Sequence, residues 1–169
     1  MDKEIVIKYR VNAENLLKVS KYILLNSKLA KYIIFGLPLL ILLNIFSNST
    51  IENKSDYTNY ISLILVILFW GFLYYRTIKE TKKKILENQR NFENIKITLD
   101  NSSFTQEGQT FTVQTLWKNI NKIKETKEWF LIFQTKTTAL PIFKKDLSDE
   151  QLKDLKELFI SLNVEKKLL

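Results

Sequence analysis

The sequence of 169 residues contains neither cysteine nor histidine. These absences exclude nucleophile–base pairs built on Cys or His, thiol redox chemistry, disulfide bonds and the ordinary zinc sites. The sequence also lacks a glycine-rich phosphate loop, a G-x-S-x-G nucleophile turn and any metal-ligand spacing. We therefore expect a protein that is not an enzyme and that needs no cofactor and no metal.

Two long stretches without any charge dominate the first half of the chain, at residues 32–46 and 57–75. The second is close to the roughly 20 residues that cross a bilayer, and tyrosines lie near its ends. The first is shorter and spans a bilayer if Lys31 extends its ammonium to the headgroups, while Gly36 and Pro38 predict a kink. We expect two transmembrane helices joined by a short outward-facing loop, residues 47–56. A buried helical hairpin in a soluble protein is the alternative.

Basic residues flank this hairpin and set its orientation. They precede the first stretch at Lys18, Lys21, Lys28 and Lys31, and they follow the second at Arg76, Lys79, Lys82, Lys83 and Lys84. The positive-inside rule then places both termini in the cytoplasm. Lys28, Lys31 and the basic residues from 76 to 84 are candidate contacts with anionic lipids, and a solvated helical face is the alternative. Because topology explains the formal charge of +8, we expect no nucleic-acid partner.

Residues 1–31 predict a strand followed by an amphipathic helix. Residues 4–10 alternate apolar and polar side chains, and Asn12 is a candidate N-cap for the helix that follows. That helix lies either on the membrane surface or against the cytoplasmic domain. After the second span, residues 76–93 predict a basic helix that continues as far as Phe92.

Residues 94–169 predict a small β domain with one helix. Six short segments rich in Ile, Thr, Phe and Trp alternate with period two and are separated by turn signals such as Asp100-Asn101. Residues 148–164 return to helical spacing, with Ser148 and Gln151 as a capping box. The predicted fold class is membrane α+β: a two-helix transmembrane hairpin plus an antiparallel β sandwich or barrel capped by a C-terminal helix. The strand at residues 4–10 adds a seventh strand across the hairpin.

The order of these elements resembles the YcxB-like family of bacterial membrane proteins. The segments that carry the resemblance read IVIKYRV, ITLDNSSFTQEG, LWKNINKIKETKEWFLIFQT, and ALPIF ahead of LSDEQLKDLKELF. Its most specific residues are Trp117, Ile120, Ile123, Trp129, Phe130, Phe133, Leu140 and Pro141. The resemblance implies a C-terminal domain similar to a bacterial pleckstrin-homology (PH) fold, and it implies no catalytic residues. Some similar proteins accompany bacterial toxin systems, which implies an immunity role.

The large aromatic residues of the β domain are candidates for a binding groove or for the core. A domain of this size needs its aromatics for burial, so we expect Trp117 and Phe133 in the core. Trp129, which follows a turn, is the candidate for exposure and for contact with a partner. The carboxylates of the C-terminal helix stand beside Lys153 and Lys156, which favours solvation and helix pairing over a metal or acid–base site.

Two functions follow from these patterns. The first is a non-enzymatic protein of the bacterial inner membrane whose cytoplasmic PH-like domain binds a protein or a lipid. The second is a membrane-bound immunity protein that neutralises a membrane-acting bacterial toxin. The expected partners are the bilayer, its anionic lipids and an unidentified protein.

Overall fold

The computed structural model describes residues 4–10, 12–27, 31–49 and 56–169. The chain divides into two compact units, and each is described by itself. The β unit combines Met1–Val19 with Ile85–Leu169, and the helical unit is Ser20–Lys84.

The first sheet of the β unit contains the N-terminal strand. Its four antiparallel strands, in spatial order, are β1 (Ile5–Arg10), β2 (Asn94–Leu99), β3 (Ser103–Glu107) and β4 (Thr112–Leu116). In the β1–β2 pair, Ile5 lies opposite Leu99 and Arg10 lies opposite Asn94. The inward residues of β1 are buried, because alternation places them on one face of the sheet. The expected seventh strand is therefore confirmed. The β domain, which was predicted to begin at residue 94, also includes β1.

The second sheet has the spatial order β7-β6-β5-β8. Its strands are β5 (Lys122–Glu125), β6 (Trp129–Phe133), β7 (Ala139–Phe143) and β8 (Lys166–Lys167). The strands β5, β6 and β7 are antiparallel neighbours, whereas β8 pairs with β5 in parallel. All six strands predicted between residues 94 and 143 are present. The two-residue strand β8 is an addition, because two lysines give no strand signal in the sequence.

Local hydrogen bonds stabilise the turn between β2 and β3 at the position predicted from the sequence. In the turn between β2 and β3, Asp100 Oδ1 accepts hydrogen bonds from the Ser102 and Ser103 N–H groups at 2.6 and 2.7 Å. The carbonyl of Asp100 accepts one from Trp117 Nε1 at 2.7 Å. An Asp side chain that bonds the following backbone replaces strand pairing with a turn.

The C-terminal helix α4 (Asp149–Ser161) completes the core of the β unit. Ser148 and Gln151 form the predicted capping box. Leu155 and Phe159 are fully buried, and the Phe159 ring contacts Trp117 and Phe130 at centroid distances of 6.1 and 5.3 Å. The helix therefore packs onto Phe130 of the second sheet and onto Trp117, which lies in the 3₁₀ turn Trp117–Asn119. Trp117 in turn contacts Phe104 of the first sheet at 5.1 Å.

Helices account for the segment between β1 and β2. They are α1 (Ala13–Asn26), a π-helical turn (Tyr32–Gly36) that leads into α2 (Leu37–Ser49), and α3 (Asp56–Glu87). The π-helical turn stands at the predicted kink, because Pro38 has no N–H and its ring clashes with the preceding turn of a regular helix. Lys28 and residues 50–55 of the predicted loop lie outside the described residues.

The helix α3 ends earlier than predicted. It stops at Glu87, and a 3₁₀ turn, Gln89–Phe92, follows. Asn88 accepts a hydrogen bond from the Arg90 N–H at 3.2 Å and so begins that turn. The extension to Phe92 was wrong, because the Asn88 cap outweighs the regular spacing of apolar residues.

One helix in the described part of the chain is long and apolar enough to cross a membrane. It is the stretch Ile61–Glu87, and none of its most apolar part is buried. The predicted two-helix hairpin stays a prediction, because no second helix meets the same criterion among these residues.

We expect Phe159→Ala to destabilise the β unit strongly, because it removes a ring at the centre of an aromatic cluster. Large-to-small changes of this kind cost about 3 to 5 kcal/mol, which is a large part of the stability of a small domain. Thermal unfolding followed by circular dichroism measures the effect, and Lys153→Ala on the exposed face of α4 is the control. An unchanged melting temperature for Phe159→Ala would contradict the core role of α4.

Candidate functional site

Basic residues form one exposed face on the second half of α3. Arg76, Lys79 and Lys83 follow helical spacing, so they project to the same side. All five basic residues from Arg76 to Lys84 are exposed, while Ile78 on the other side is half-buried. Lys31, which directly precedes the π-helical turn Tyr32–Gly36, is also exposed. The helix therefore presents a cationic surface directly after its apolar part.

The burial of the large aromatic residues agrees with the prediction except at Trp129. Trp117 and Phe133 are buried, as predicted. Trp129 is only 8% exposed, and its ring meets Phe143 at a centroid distance of 6.3 Å. The expected exposure was wrong because β6 is a central strand whose five residues are all buried. Trp129 is therefore not the protruding anchor that a partner contact of the predicted kind requires.

A buried carboxylate, that of Glu125, lies on β5 of the second sheet. The side chain of Glu125 is fully buried and forms ion pairs with Lys144 Nζ at 2.6 Å and Lys156 Nζ at 2.8 Å. Its other oxygen accepts a hydrogen bond from the Leu169 N–H at 2.8 Å. Glu125 thereby connects β5 with the turn after β7, with α4 and with the end of the chain.

The hydrogen bonds decide the charge state of Glu125. Burial by itself raises the pKa of this carboxyl, but the donors from Lys144, Lys156 and Leu169 outweigh it and hold the pKa below its usual value. The group is therefore a carboxylate at neutral pH. This arrangement fits a structural ion cluster, because both lysines are already committed to the same acceptor.

Glu125 and its partners were missed in the sequence, although a signal exists. Glu125 follows the buried Ile123 by two residues, so strand alternation turns both side chains to the same buried face. An acidic residue at an inward position needs a cationic partner. The pattern did not reveal which lysines supply the charge, since those lie on a 3₁₀ turn and on α4.

A cavity of about 380 Å³ opens between the inner faces of the two sheets. It is lined mainly by apolar side chains, which are Leu16, Ile95, Phe111, Val113, Leu140 and Pro141. The amides of Asn88, Asn91, Gln106 and Gln134 and the guanidinium of Arg90 supply its polar groups. Such a lining suits a ligand or side chain with an apolar body and a polar or anionic end.

Two contacts hold the walls of this cavity in place. Tyr9 Oη on β1 donates a hydrogen bond to the Pro141 carbonyl on β7 at 3.2 Å, which joins the two sheets. Burial raises the pKa of Tyr9, and the nearby Asp146 raises it further, so its hydroxyl keeps its proton. On the opposite wall, the Arg90 guanidinium lies 5.8 Å from the centre of the Phe111 ring.

The hairpin between β3 and β4 is fastened to the segment that follows α3. Glu93 accepts hydrogen bonds from the Thr110 side chain and N–H at 2.5 and 2.9 Å, which lower its pKa. A Cβ atom at Gly108 would overlap the Phe111 ring and the Glu93 carboxylate, so a larger residue there would displace these two side chains. We call the two hydrogen bonds between Thr110 and Glu93 the hairpin clamp.

One carboxylate of α4, Glu157, forms a solvent-exposed pair within the helix. Lys153 and Glu157 are an i,i+4 pair at 3.9 Å, with both side chains well exposed. Lys156, however, bonds the buried Glu125. No group of three or more acidic side chains is close enough to hold a metal ion within the described ranges.

The Glu125 cluster predicts a specific acid sensitivity. Because the pKa of Glu125 is lower in the folded than in the unfolded chain, its stabilising contribution is present above the ordinary pKa of 4.5. The contribution is lost as the pH falls through the folded pKa. We expect Glu125→Gln to lower stability at neutral pH by roughly 3 kcal/mol and to flatten the dependence below about pH 5. Chemical denaturation at several pH values measures this.

The control for that experiment is Glu128→Gln, which changes an exposed carboxylate on the neighbouring turn. This variant should keep both the stability and the pH dependence of the parent protein. An equally steep acid transition in Glu125→Gln would contradict the assignment.

A comparison with protein-family models gave a match within the β unit. The family model described as YcxB-like protein matches residues 99–159, which is about a third of the chain and runs from the end of β2 into α4. No curated protein and no solved structure matches the chain. Residues 99–159 therefore match the YcxB-like family, as the sequence motifs within that range predicted, whereas the motif IVIKYRV lies outside the matched range.

Proposed function

We propose that the protein is a non-enzymatic protein of the bacterial inner membrane. In this proposal α2 and α3 form a transmembrane hairpin, both termini face the cytoplasm, and the β unit is a PH-like binding module held at the membrane surface.

The pairing of β1 with β2 carries the proposal. Arg10 and Asn94 are opposite each other in one sheet, so the two ends of the intervening segment lie on the same side of any membrane. A segment that starts and finishes on one side must cross an even number of times. If α3 crosses, a second crossing is needed, and the apolar stretch that includes α2 is the part of the chain able to supply it.

The apolar surface of α3 supports a crossing. Nine large apolar residues between Ile61 and Tyr75 are 44% to 64% exposed. They are Ile61, Ile64, Leu65, Ile67, Leu68, Phe69, Phe72, Tyr74 and Tyr75. Leaving one such side chain in water instead of an apolar environment costs about 1.5 to 3 kcal/mol. A bilayer removes this cost without requiring another protein chain.

The cavity supports the role of a binding module. It lies on the inner faces of the sheets, beside the points where the chain leaves β1 and returns to β2, because Asn88, Arg90 and Asn91 belong to its lining. In the proposed topology a ligand at this place is bound close to the bilayer. An amphiphile or an apolar peptide side chain with a polar end matches the mixed lining.

Reporter fusions test the hairpin. A reporter that is active only outside the inner membrane should give a signal when fused after Thr50, and no signal when fused after Ser27 or after Leu169. A fluorescent protein that matures only in the cytoplasm should give the opposite pattern. Cytoplasmic fluorescence from the Thr50 fusion would overturn the proposal.

We also expect the lysine run at the end of α3 to bind anionic lipid. The suitable fragment joins residues 4–12 through a flexible linker to residues 76–169, so that β1 remains available for β2. Changing Lys82, Lys83 and Lys84 to Gln should weaken its binding to phosphatidylglycerol vesicles on the order of a hundredfold at low salt, at about 1 kcal/mol for each lysine. Co-sedimentation measures the change.

A matched control removes the same charge elsewhere. Lys127, Lys136 and Lys145 are exposed on turns of the β unit. Their replacement by Gln should leave vesicle binding almost unchanged. Equal losses in the two triple variants would assign the binding to net charge alone.

A further inference from the structure

The strand β4 is an edge of the first sheet, and it lacks the protection that the other edges have. Edge strands normally carry charges, proline or a very short length, which prevents pairing with another chain. Here β1 carries Lys8 and Arg10, β7 contains Pro141, and β8 consists of two lysines. The sequence of β4 is Thr-Val-Gln-Thr-Leu, and four of its five residues are exposed.

The hydrogen-bond pattern identifies which backbone groups of β4 are available. Gly108 N–H donates to Phe111 at 2.8 Å, and Trp117 N–H donates to Ser102 at 3.1 Å. Antiparallel ladders alternate, so the odd-numbered residues of β4 direct their N–H and C=O groups to β3. Thr112, Gln114 and Leu116 therefore direct theirs away from the sheet, where the described residues supply no further strand.

We propose that β4 pairs with β4 of a second copy of this chain, antiparallel and centred on Gln114. In this register Gln114 lies opposite Gln114, and Thr112 lies opposite Leu116. All three residues with outward backbone groups are then paired, which a register centred on Val113 does not achieve. The two four-stranded sheets become one continuous sheet around a two-fold axis.

Charge complementarity supports the same register. In this register the 3₁₀ turn Trp117–Asn119 of one copy, which carries the exposed Lys118, faces the β3–β4 hairpin of the other copy, which carries Thr110. Thr110 is bound to the Glu93 carboxylate through the hairpin clamp. Each copy thus turns a basic segment towards the hairpin of the other copy that holds the Glu93 carboxylate. The clamp also holds the edge in position before pairing, which lowers the entropic cost of association.

Cysteine cross-linking of the full chain in bacterial membranes tests this pairing. The chain contains no cysteine, so a single introduced thiol reports on one position. Opposite residues in a hydrogen-bonded antiparallel pair have Cα atoms about 5.5 Å apart, within disulfide range. Mild oxidation of Gln114→Cys should give a disulfide-linked dimer. Lys8→Cys, an exposed position on the opposite edge of the same sheet, should give none.

A second change separates this pairing from other modes of association. Adding Leu116→Lys to the Gln114→Cys chain puts a charge on the edge and should reduce the cross-linked fraction about tenfold, with the fold unchanged by circular dichroism. Lys118→Glu should reduce it less. A Gln114→Cys chain that reacts no more than Lys8→Cys overturns the proposal. A cross-linked fraction that Leu116→Lys leaves unchanged also overturns the proposal. A cross-link to a different protein overturns it as well.

Discussion

The pairing between β1 and β2 is the constraint on which the architecture depends. The core of the β unit needs Ile5, Ile7 and Tyr9 from the start of the chain, although their neighbours in the sheet come after all the helices. The segment from residue 11 to residue 93 is therefore an insertion whose two ends are fixed side by side. Closing so long a loop costs entropy only logarithmically with its length. The sheet recovers this cost through buried contacts on one face of β1.

The interior of the β unit is filled unequally. At one place Phe159 of α4 packs against Phe130 of the second sheet and against Trp117, which contacts Phe104 of the first sheet. The buried Glu125 carboxylate binds the end of the chain at Leu169. Between β1, β4 and β7, by contrast, the sheets leave the cavity, and Val113 on the inner face remains 46% exposed. The well-packed part supplies stability, and the cavity is a part of the interior that the side chains leave unfilled.

The strands could be predicted because their alternation is a local property. The six segments between residues 94 and 143, the Ser148 capping box and the apolar stripe of α4 are all short-range patterns. What failed depended on neighbours distant in sequence. Trp129 is buried because β6 is central, and no local pattern states which strand is central. Glu125 was missed because its cations are supplied by Lys144 and Lys156 from other elements. The cavity was missed for the same reason, since its walls meet only in the folded sandwich.

The segment after α3 contacts both the cavity and the β3–β4 hairpin of the β unit. Asn91 Nδ2 donates a hydrogen bond to the Ile85 carbonyl in the last turns of α3 at 3.0 Å. Two residues later Glu93 holds the β3–β4 hairpin through Thr110, while Arg90 covers Phe111 at the wall of the cavity. One short segment is thus bound to the end of a helix, to the cavity and to the turn that precedes β4. The positions of the Glu93 carboxylate and of Arg90 are therefore set by the end of α3, and the hairpin before β4 and one wall of the cavity are built on these two side chains.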